Sequence, residues 1–310
     1  MNTVLILLAS YNGQKYLNEM IDSLINQDYE DWHLVLSDDG SSDSTPEILE
    51  SYSNRYPDKI THYRSGQRFG NAQDHFMHLL KEFHDAPYIM FCDQDDVWHS
   101  DKISKTLAKM KEIEENPKQP AMVHTDLRVV DGNLNVIDPS FMHFSKLNGE
   151  RLALNQLLIQ NVVTGCTMMI NNALASISVN NIPRSGIIMH DWWLALIAVA
   201  CGKTGFLNEA TIDYRQHGGN VVGAKNTRSL SYILQKASGK AIRKALFDTS
   251  VQAEVFAKEL NDYISQNKKE VIAAFGKIHS SNYFMRKIIY LKYKFFKNGA
   301  VRCIAQFLVG

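Results

Sequence analysis

An excess of charge of either sign is missing from this chain. Lys+Arg and Asp+Glu each total 33 in 310 residues, so the global balance gives no basis for nucleic-acid binding, which usually shows as a basic surplus. A cysteine framework is missing too. The 4 cysteines, Cys92, Cys166, Cys201 and Cys303, are widely spaced in no zinc or disulfide pattern, which points to a reducing, cytoplasmic setting. The longest wholly apolar stretch, Trp192 to Cys201, is well short of the roughly 20 residues of a membrane-spanning helix. The chain opens on a strand-like segment without a basic leader, so no signal peptide is expected. Internal repeats and low-complexity tracts are also absent. The length suffices to bury one full α/β core with a helical appendage.

What is present begins with Tyr88-Ile89-Met90-Phe91-Cys92-Asp93-Gln94-Asp95-Asp96-Val97-Trp98. It reads as a strand buried on both faces that ends in three carboxylates. Clustered carboxylates repel one another unless a cation shares them, and hard oxygen ligands favour Mg²⁺ or Mn²⁺, commonly together with substrate phosphates. The competing reading is a solvated acidic turn capping a helix that starts near Asp101. Two earlier segments share the pattern. Thr3–Ala9 is a strand ending in Ser10-Tyr11-Asn12-Gly13, followed by helical spacing over Gln14–Gln27. Trp32–Leu36 is a strand that runs into Ser37-Asp38-Asp39-Gly40-Ser41, with a helix over Glu47–Arg55. A β-α-β-α series brings such strand ends to one edge, and three polar clusters on one edge suggest a nucleotide site.

Taken in order, Ala9-Ser10-Tyr11-Asn12, Asp38-Asp39-Gly40-Ser41 and Asp93-Gln94-Asp95-Asp96 resemble the family-two glycosyltransferases with the GT-A fold. The similarity is greatest to the bacterial rhamnosyltransferase-like branch that builds surface polysaccharides, and it covers roughly residues 2–220. It implies a Rossmann-like, mostly parallel central sheet flanked by helices, and the chain length and the spacing beyond it add a C-terminal helical extension. The expected organisation is a catalytic domain over 1–225, with a nucleotide-binding half at about 1–100 and an acceptor half at about 101–225, then a helical extension over 226–310. Carried over residue by residue, Tyr11 lies against a pyrimidine ring, Asp39 accepts from the base N3–H, and Ser10 and Asn12 shape that loop. Asp93 sits near the ribose or metal, and Asp95 binds a Mn²⁺ or Mg²⁺ ion bridging two phosphates. The competing reading of Tyr11 is a core aromatic, and that of Asp39 a turn former. The loop Arg64–Asn71 leads into a helix over Ala72–Phe83; Arg68 suits a diphosphate or base contact, and Asn71 is either a further contact or the helix N-cap.

The second half supplies the chemistry that the resemblance implies. Asn161–Asn171 is a glycine-bearing segment of the kind found beside the donor sugar, and Met189-His190-Asp191-Trp192-Trp193 opens an apolar helix through Cys201. Asp191 corresponds to the catalytic base, its alternative role being an N-cap. Many relatives carry an acidic residue at the position of His190. A carboxylate with an ordinary pKa near 4 cannot deprotonate a sugar hydroxyl beforehand, but it can take the proton as the new bond forms. Attack opposite the diphosphate inverts the anomeric centre. His217, within Ala210–Val221, corresponds to a histidine returning to the metal or leaving group, and Asn220–Gly223 reads as the start of a mobile loop.

The expected donor is dTDP-rhamnose, with a UDP-hexose as alternative, and the expected acceptor is a glycan or lipid-linked oligosaccharide. A nucleotidyltransferase is a weaker reading, because no glycine-rich, Lys/Arg-bearing loop follows the first strand; a catalytically silent glycan-binding subunit is a third. Helical spacing recurs from about Thr227, at Ile233, Leu234 and Ala237. Phe284–Gly310 carries Arg286, Lys287, Lys292, Lys294, Lys297 and Arg302 among aromatics with no acidic residue. That tail suits either peripheral contact with a membrane surface or helices packed on the catalytic domain or a dimer partner.

Overall fold

The computed structural model describes residues 3–217 and 239–309. Its first element, β1 (Val4–Ser10), shows why an unbroken apolar run becomes a central strand. Side chains alternate across the pleat: Val4, Ile6 and Leu8 enter one core, and Leu7 enters the other. The chain continues through α1 (Leu17–Ile25), β2 (Trp32–Asp38), α2 (Thr45–Arg55), β3 (Ile60–Tyr63), α3 (Ala72–Glu82) and β4 (Tyr88–Cys92). β1 pairs in parallel with β2 and β4, and β2 with β3. The register sets Ser10 beside Asp38 and Leu8 beside Cys92. The three polar turns therefore leave the sheet along one carboxyl edge, where ligands of open α/β sheets bind.

Next come β5 (Val97–Trp98), α4 (Lys102–Ile113), β6 (Ala121–Asp131), β7 (Val136–Asp138), α5 (Phe141–Phe144), α6 (Leu154–Leu157), a 3-10 turn at Gly165–Thr167, β8 (Met169–Asn171), α7 (Asn172–Asn180), α8 (His190–Cys201) and β9 (Lys203–Gln216). The sheet order is β3-β2-β1-β4-β8-β6-β9-β5, with β7 paired to β6. β8 runs antiparallel to both β4 and β6, whereas β9 is parallel to β6. Two reversals restore the original direction, so the ends of β6 and β9 share the edge used by β1, β2 and β4. The sheet is mostly parallel and flanked by helices on both faces. Leu17, Met20, Leu49 and Ile103 from α1, α2 and α4 fill one side; Phe76, Leu174, Trp193 and Ile197 from α3, α7 and α8 fill the other.

The tail forms α9 (Gly239–Glu259), a 3-10 turn at Asn261–Tyr263, α10 (Gln266–Gly276), α11 (Tyr283–Tyr293) and α12 (Ala300–Val309). Phe256, Phe275, Tyr290 and Phe295 join the same core as Trp193, which meets Phe256 edge-on at 5.2 Å. Lys268 Nζ donates to the carbonyls of Val199 and Ala200 at 3.0 and 2.9 Å, a cation at the carbonyl end of α8 where the helix dipole favours it.

Several boundaries differ from expectation. α1 starts at Leu17, after Tyr16 N closes a turn onto Gly13 O at 3.1 Å. β9 starts at Lys203, well before Ala210, because parallel pairing to β6 organises a stretch with no apolar rhythm of its own. The basic stretch at the end of the tail forms two helices: Lys294 adopts a left-handed φ of 55° after α11, and Gly299 one of 85° before α12. The expected division at 225/226, the loop at Asn220–Gly223 and the spacing of Ile233, Leu234 and Ala237 lie outside the described residues.

Candidate functional site

The nucleotide side of the edge is a set of loops locked by polar cross-links. Ser10 is buried; its Oγ donates to Ser37 O at 3.0 Å, and its carbonyl accepts from Asp39 N at 2.9 Å. Asn12 sits at φ 49°, in the left-handed region that asparagine tolerates. Its amide donates to Ser41 Oγ at 2.7 Å, and its Oδ1 accepts from Ser42 N at 2.9 Å. Tyr11 is exposed on the rim, which excludes the core-aromatic reading. Gln94, which motif reading passed over, grips its backbone twice: Oε1 accepts from Tyr11 N at 2.8 Å, and Nε2 donates to Tyr11 O at 3.0 Å. Gly13 leaves room for this grip, since a Cβ there would meet Gln94 Oε1 and displace the carboxamide.

Asp39 is buried and anchors the neighbouring loop, since its two oxygens accept from Phe69 N and from Gly70 N, the latter at 2.7 Å. That loop carries Arg68, whose Nη2 donates to Tyr11 OH at 2.9 Å while its guanidinium lies 5.2 Å from the Tyr11 ring centroid. Asn71 caps α3, with Oδ1 accepting from Asp74 N at 2.8 Å. His75, not anticipated, stacks on Phe69 at 4.7 Å and meets Ser37 Oγ at 2.8 Å. Burial pushes its pKa down to about 4, so it supports the loop as a neutral ring.

The carboxylate side is drier. Asp95 Oδ2 lies 2.7 Å from His217 Nε2, joining the turn after β4 to the end of β9. The His217 ring also lies 5.0 Å from that of Tyr16, over which Arg215 stacks at 4.6 Å. Asp93 has its pKa pushed up to about 7, chiefly by burial and then by the charges of Asp95 and Asp191. Asp191 borders the same group: a Cβ on Gly165 would lie 3.6 Å from Asp191 Cβ, and the adjacent Cys166 holds a ligand atom within 4.8 Å of one on Asp93. Burial likewise raises Asp191 to about 7, against the pull of amide donors at Trp192 and Gly165. Its Oδ1 accepts from Trp192 N at 2.5 Å and from Asn161 Nδ2 at 3.2 Å. α8 begins at His190 with Met189 in the capping position, so Asp191 lies inside the first turn and is not the N-cap.

His190 turns into the core beside this chemistry. Its ring packs on Phe76 at 4.5 Å and Phe91 at 5.4 Å, neither nitrogen has a hydrogen-bond partner among the described residues, and burial lowers its pKa to about 3. A Cβ on Gly165 would lie 2.7 Å from His190 Nε2, so that glycine lets the segment beside Asp191 close onto the ring.

Two overlapping ligand sets exist for a divalent ion. Asp93, Asp96 and Cys166 hold ligand atoms within 4.8 Å of one another. Asp96 and Cys166 are fully enclosed, however, and burial keeps the Cys166 thiol protonated. Lys102, also enclosed, lies beneath that group with its pKa lowered by burial to about 8. Asp95 and His217, with Asp93 beside them, are partly open and offer hard donors with room for water and phosphate oxygens, which suits Mg²⁺ or Mn²⁺ better. The structure thus brings Asp93, Asp95, His217 and Asp191 together, and Ser10, Tyr11, Asn12, Asp39 and Arg68 into an adjoining group on the same edge.

Comparison with known proteins addresses the family and the fold. Residues 5–176, more than half of the chain, match the family model described as glycosyl transferase family 2. The dTDP-rhamnosyl transferase RfbG of Shigella flexneri is 28% identical over 233 residues, spanning 73% of this chain and 76% of the relative. Residues 1-349 of S. aureus TarS, solved in complex with UDP-GlcNAc, superpose with a TM-score of 0.57 at 15% identity, covering 99% of this chain and 90% of that one. The mannosyltransferase PcManGT of Pyrobaculum calidifontis, solved with GDP-Man and Mn²⁺, gives a TM-score of 0.56 at 15% identity, covering 94% and 73%. At these identities the two structures are evidence for the GT-A fold alone.

Proposed function

The chain belongs to glycosyl transferase family 2, and from that premise we propose that it is an inverting, metal-dependent enzyme that moves L-rhamnose from dTDP-rhamnose to a hydroxyl of a growing surface glycan. The observation that carries the reading is the convergence of Asp191 with Asp93, Asp95 and His217 beside the nucleotide loops. Tyr11 offers an aromatic face and Asp39 an acceptor to a pyrimidine, while Ser10 and Asn12 hold the loop and Arg68 reaches the base or diphosphate. Asp95 and His217, with Asp93, would hold Mn²⁺ or Mg²⁺, which when bound offsets the charge developing on the departing diphosphate.

Asp191 accepts the acceptor hydroxyl's proton as its oxygen bonds to the anomeric carbon and the bond to the diphosphate breaks. A carboxylate desolvated to a pKa of about 7 is a stronger base than an ordinary one. The division proposed for the chain is a catalytic domain over 1–225 and a helical extension over 226–310. The donor assignment leans on the RfbG relationship; a UDP-hexose is the alternative. Calorimetric titration with dTDP-rhamnose, UDP-glucose, UDP-galactose and UDP-N-acetylglucosamine, with and without Mn²⁺ or Mg²⁺, decides. Metal-dependent binding of dTDP-rhamnose alone is expected. Preference for a UDP-sugar would replace the donor, and no binding at all would overturn the site.

A further inference from the structure

Among the described residues, nothing covers the outer apolar stripes of the last two helices. On α11, Phe284, Ile288 and Leu291 recur at helical spacing and stand exposed, Phe284 at 78%. On α12, Val301, Ile304 and Leu308 do the same, Val301 at 80%. The helices lie against each other: Lys287 Nζ donates to Phe307 O and sits 4.7 Å over the Phe307 ring. Gln306 Nε2 donates to Phe295 O at 2.7 Å. Arg302 fixes α12 to the catalytic body through the carbonyls of Ser145 and Lys146 at 2.6 and 2.9 Å. The two apolar stripes are thus held rigidly on one appendage, and exposed Phe, Ile, Leu and Val in such numbers mark an interaction surface.

Charge decides what that surface meets. Residues 283–309 hold six basic residues and no acidic one in a chain of zero net charge, and Lys292 and Lys294 are exposed beside the apolar stripe of α11. A second copy using the same patch would form a self-complementary interface, setting cations against cations with no anion to offset them. A bilayer surface rich in anionic headgroups offers both requirements at once, acyl chains for the stripes and phosphates for the lysines. No helix of the described residues is long and apolar enough to cross a membrane, so the contact is with the surface. We infer that α11 and α12 form an interfacial docking face for an anionic lipid bilayer, which deepens the proposed function by holding the sugar-transfer site beside a lipid-linked acceptor.

The test is flotation of the full-length protein with phosphatidylcholine vesicles and with vesicles that also contain phosphatidylglycerol, alongside light scattering, thermal melting and donor calorimetry on the same preparations. The wild type is expected to bind only the anionic vesicles, and less so at high salt. Lys292→Gln with Lys294→Asn should weaken binding about thirtyfold, from roughly fivefold per cation removed. Phe284→Ser with Ile288→Ser and Leu291→Ser should abolish it, with the melting temperature and donor affinity kept in both variants. Failure of the wild type to bind anionic vesicles overturns the inference. So does equal binding by the charge variant, or a dimer that the serine variant dissolves. Vesicle binding by a protein that takes no nucleotide sugar would leave this face standing and remove the transferase assignment, so the two failures are distinguishable.

Discussion

The two halves of the candidate site solve opposite problems. On the nucleotide side nearly every polar group meets another: Gln94 grips Tyr11, Asn12 spans Ser41 and Ser42, and Asp39 holds Phe69 and Gly70. On the carboxylate side, groups are buried with too few partners: Asp96 Oδ2, Lys102 Nζ and both His190 nitrogens have none among the described residues. Satisfied loops give shape, and a shape that already fits the ligand lowers the ordering cost of binding. Desolvated acids give reactivity, because burial raises Asp93 and Asp191 to about 7. Recognition and chemistry are therefore separable by mutation.

The largest effect belongs to the dry side. Asp191→Asn should lower turnover by about 10²–10⁴-fold while calorimetry shows donor affinity unchanged. Next is His190→Glu, which introduces the acid that the family resemblance leads one to expect but buries it against Phe76 and Phe91. It should cost about 3 kcal/mol or more in chemical denaturation at neutral pH. His190→Leu should be tolerated. It should also remove part of the wild type's acid sensitivity. A histidine lowered from 6.5 to about 3 on folding binds protons more readily when unfolded, so its contribution is intact above 6.5 and is lost as pH falls toward 3. On the satisfied side, Asp39→Ala frees the Phe69 and Gly70 amides and should weaken donor binding about tenfold or more, with turnover at saturating donor little changed. The smallest effect is that of Asn71→Ala, which removes the α3 cap at a cost of about 1 kcal/mol in thermal melting, without touching turnover.

Legibility in the sequence followed the same division. Unbroken apolar runs ending in polar clusters identified β1, β2 and β4 and the edge they share, because burial on both faces leaves that pattern in any register. Asp95 and His217 could be paired only through the family resemblance, and they meet at 2.7 Å. Gln94 looked like a spacer between carboxylates, since its partner lies 83 residues away. Cys166 and Lys102, which complete the buried group beneath Asp96, belong to separate elements that only the folded sheet juxtaposes. The central antiparallel β8 is three residues long, too short for periodicity to distinguish. The break in the tail rests on a lysine in a left-handed conformation, which carries no compositional signal of the kind glycine gives.

The central claim is that Asp191 is a base made by desolvation, and the pH dependence of turnover at saturating donor, metal and acceptor tests it most directly. A raised pKa predicts turnover that climbs tenfold per unit at low pH and reaches half its maximum near pH 7, with that limb absent from Asp191→Asn. A half-maximum near the ordinary carboxylate value of about 4, or the same limb in the variant, would contradict it.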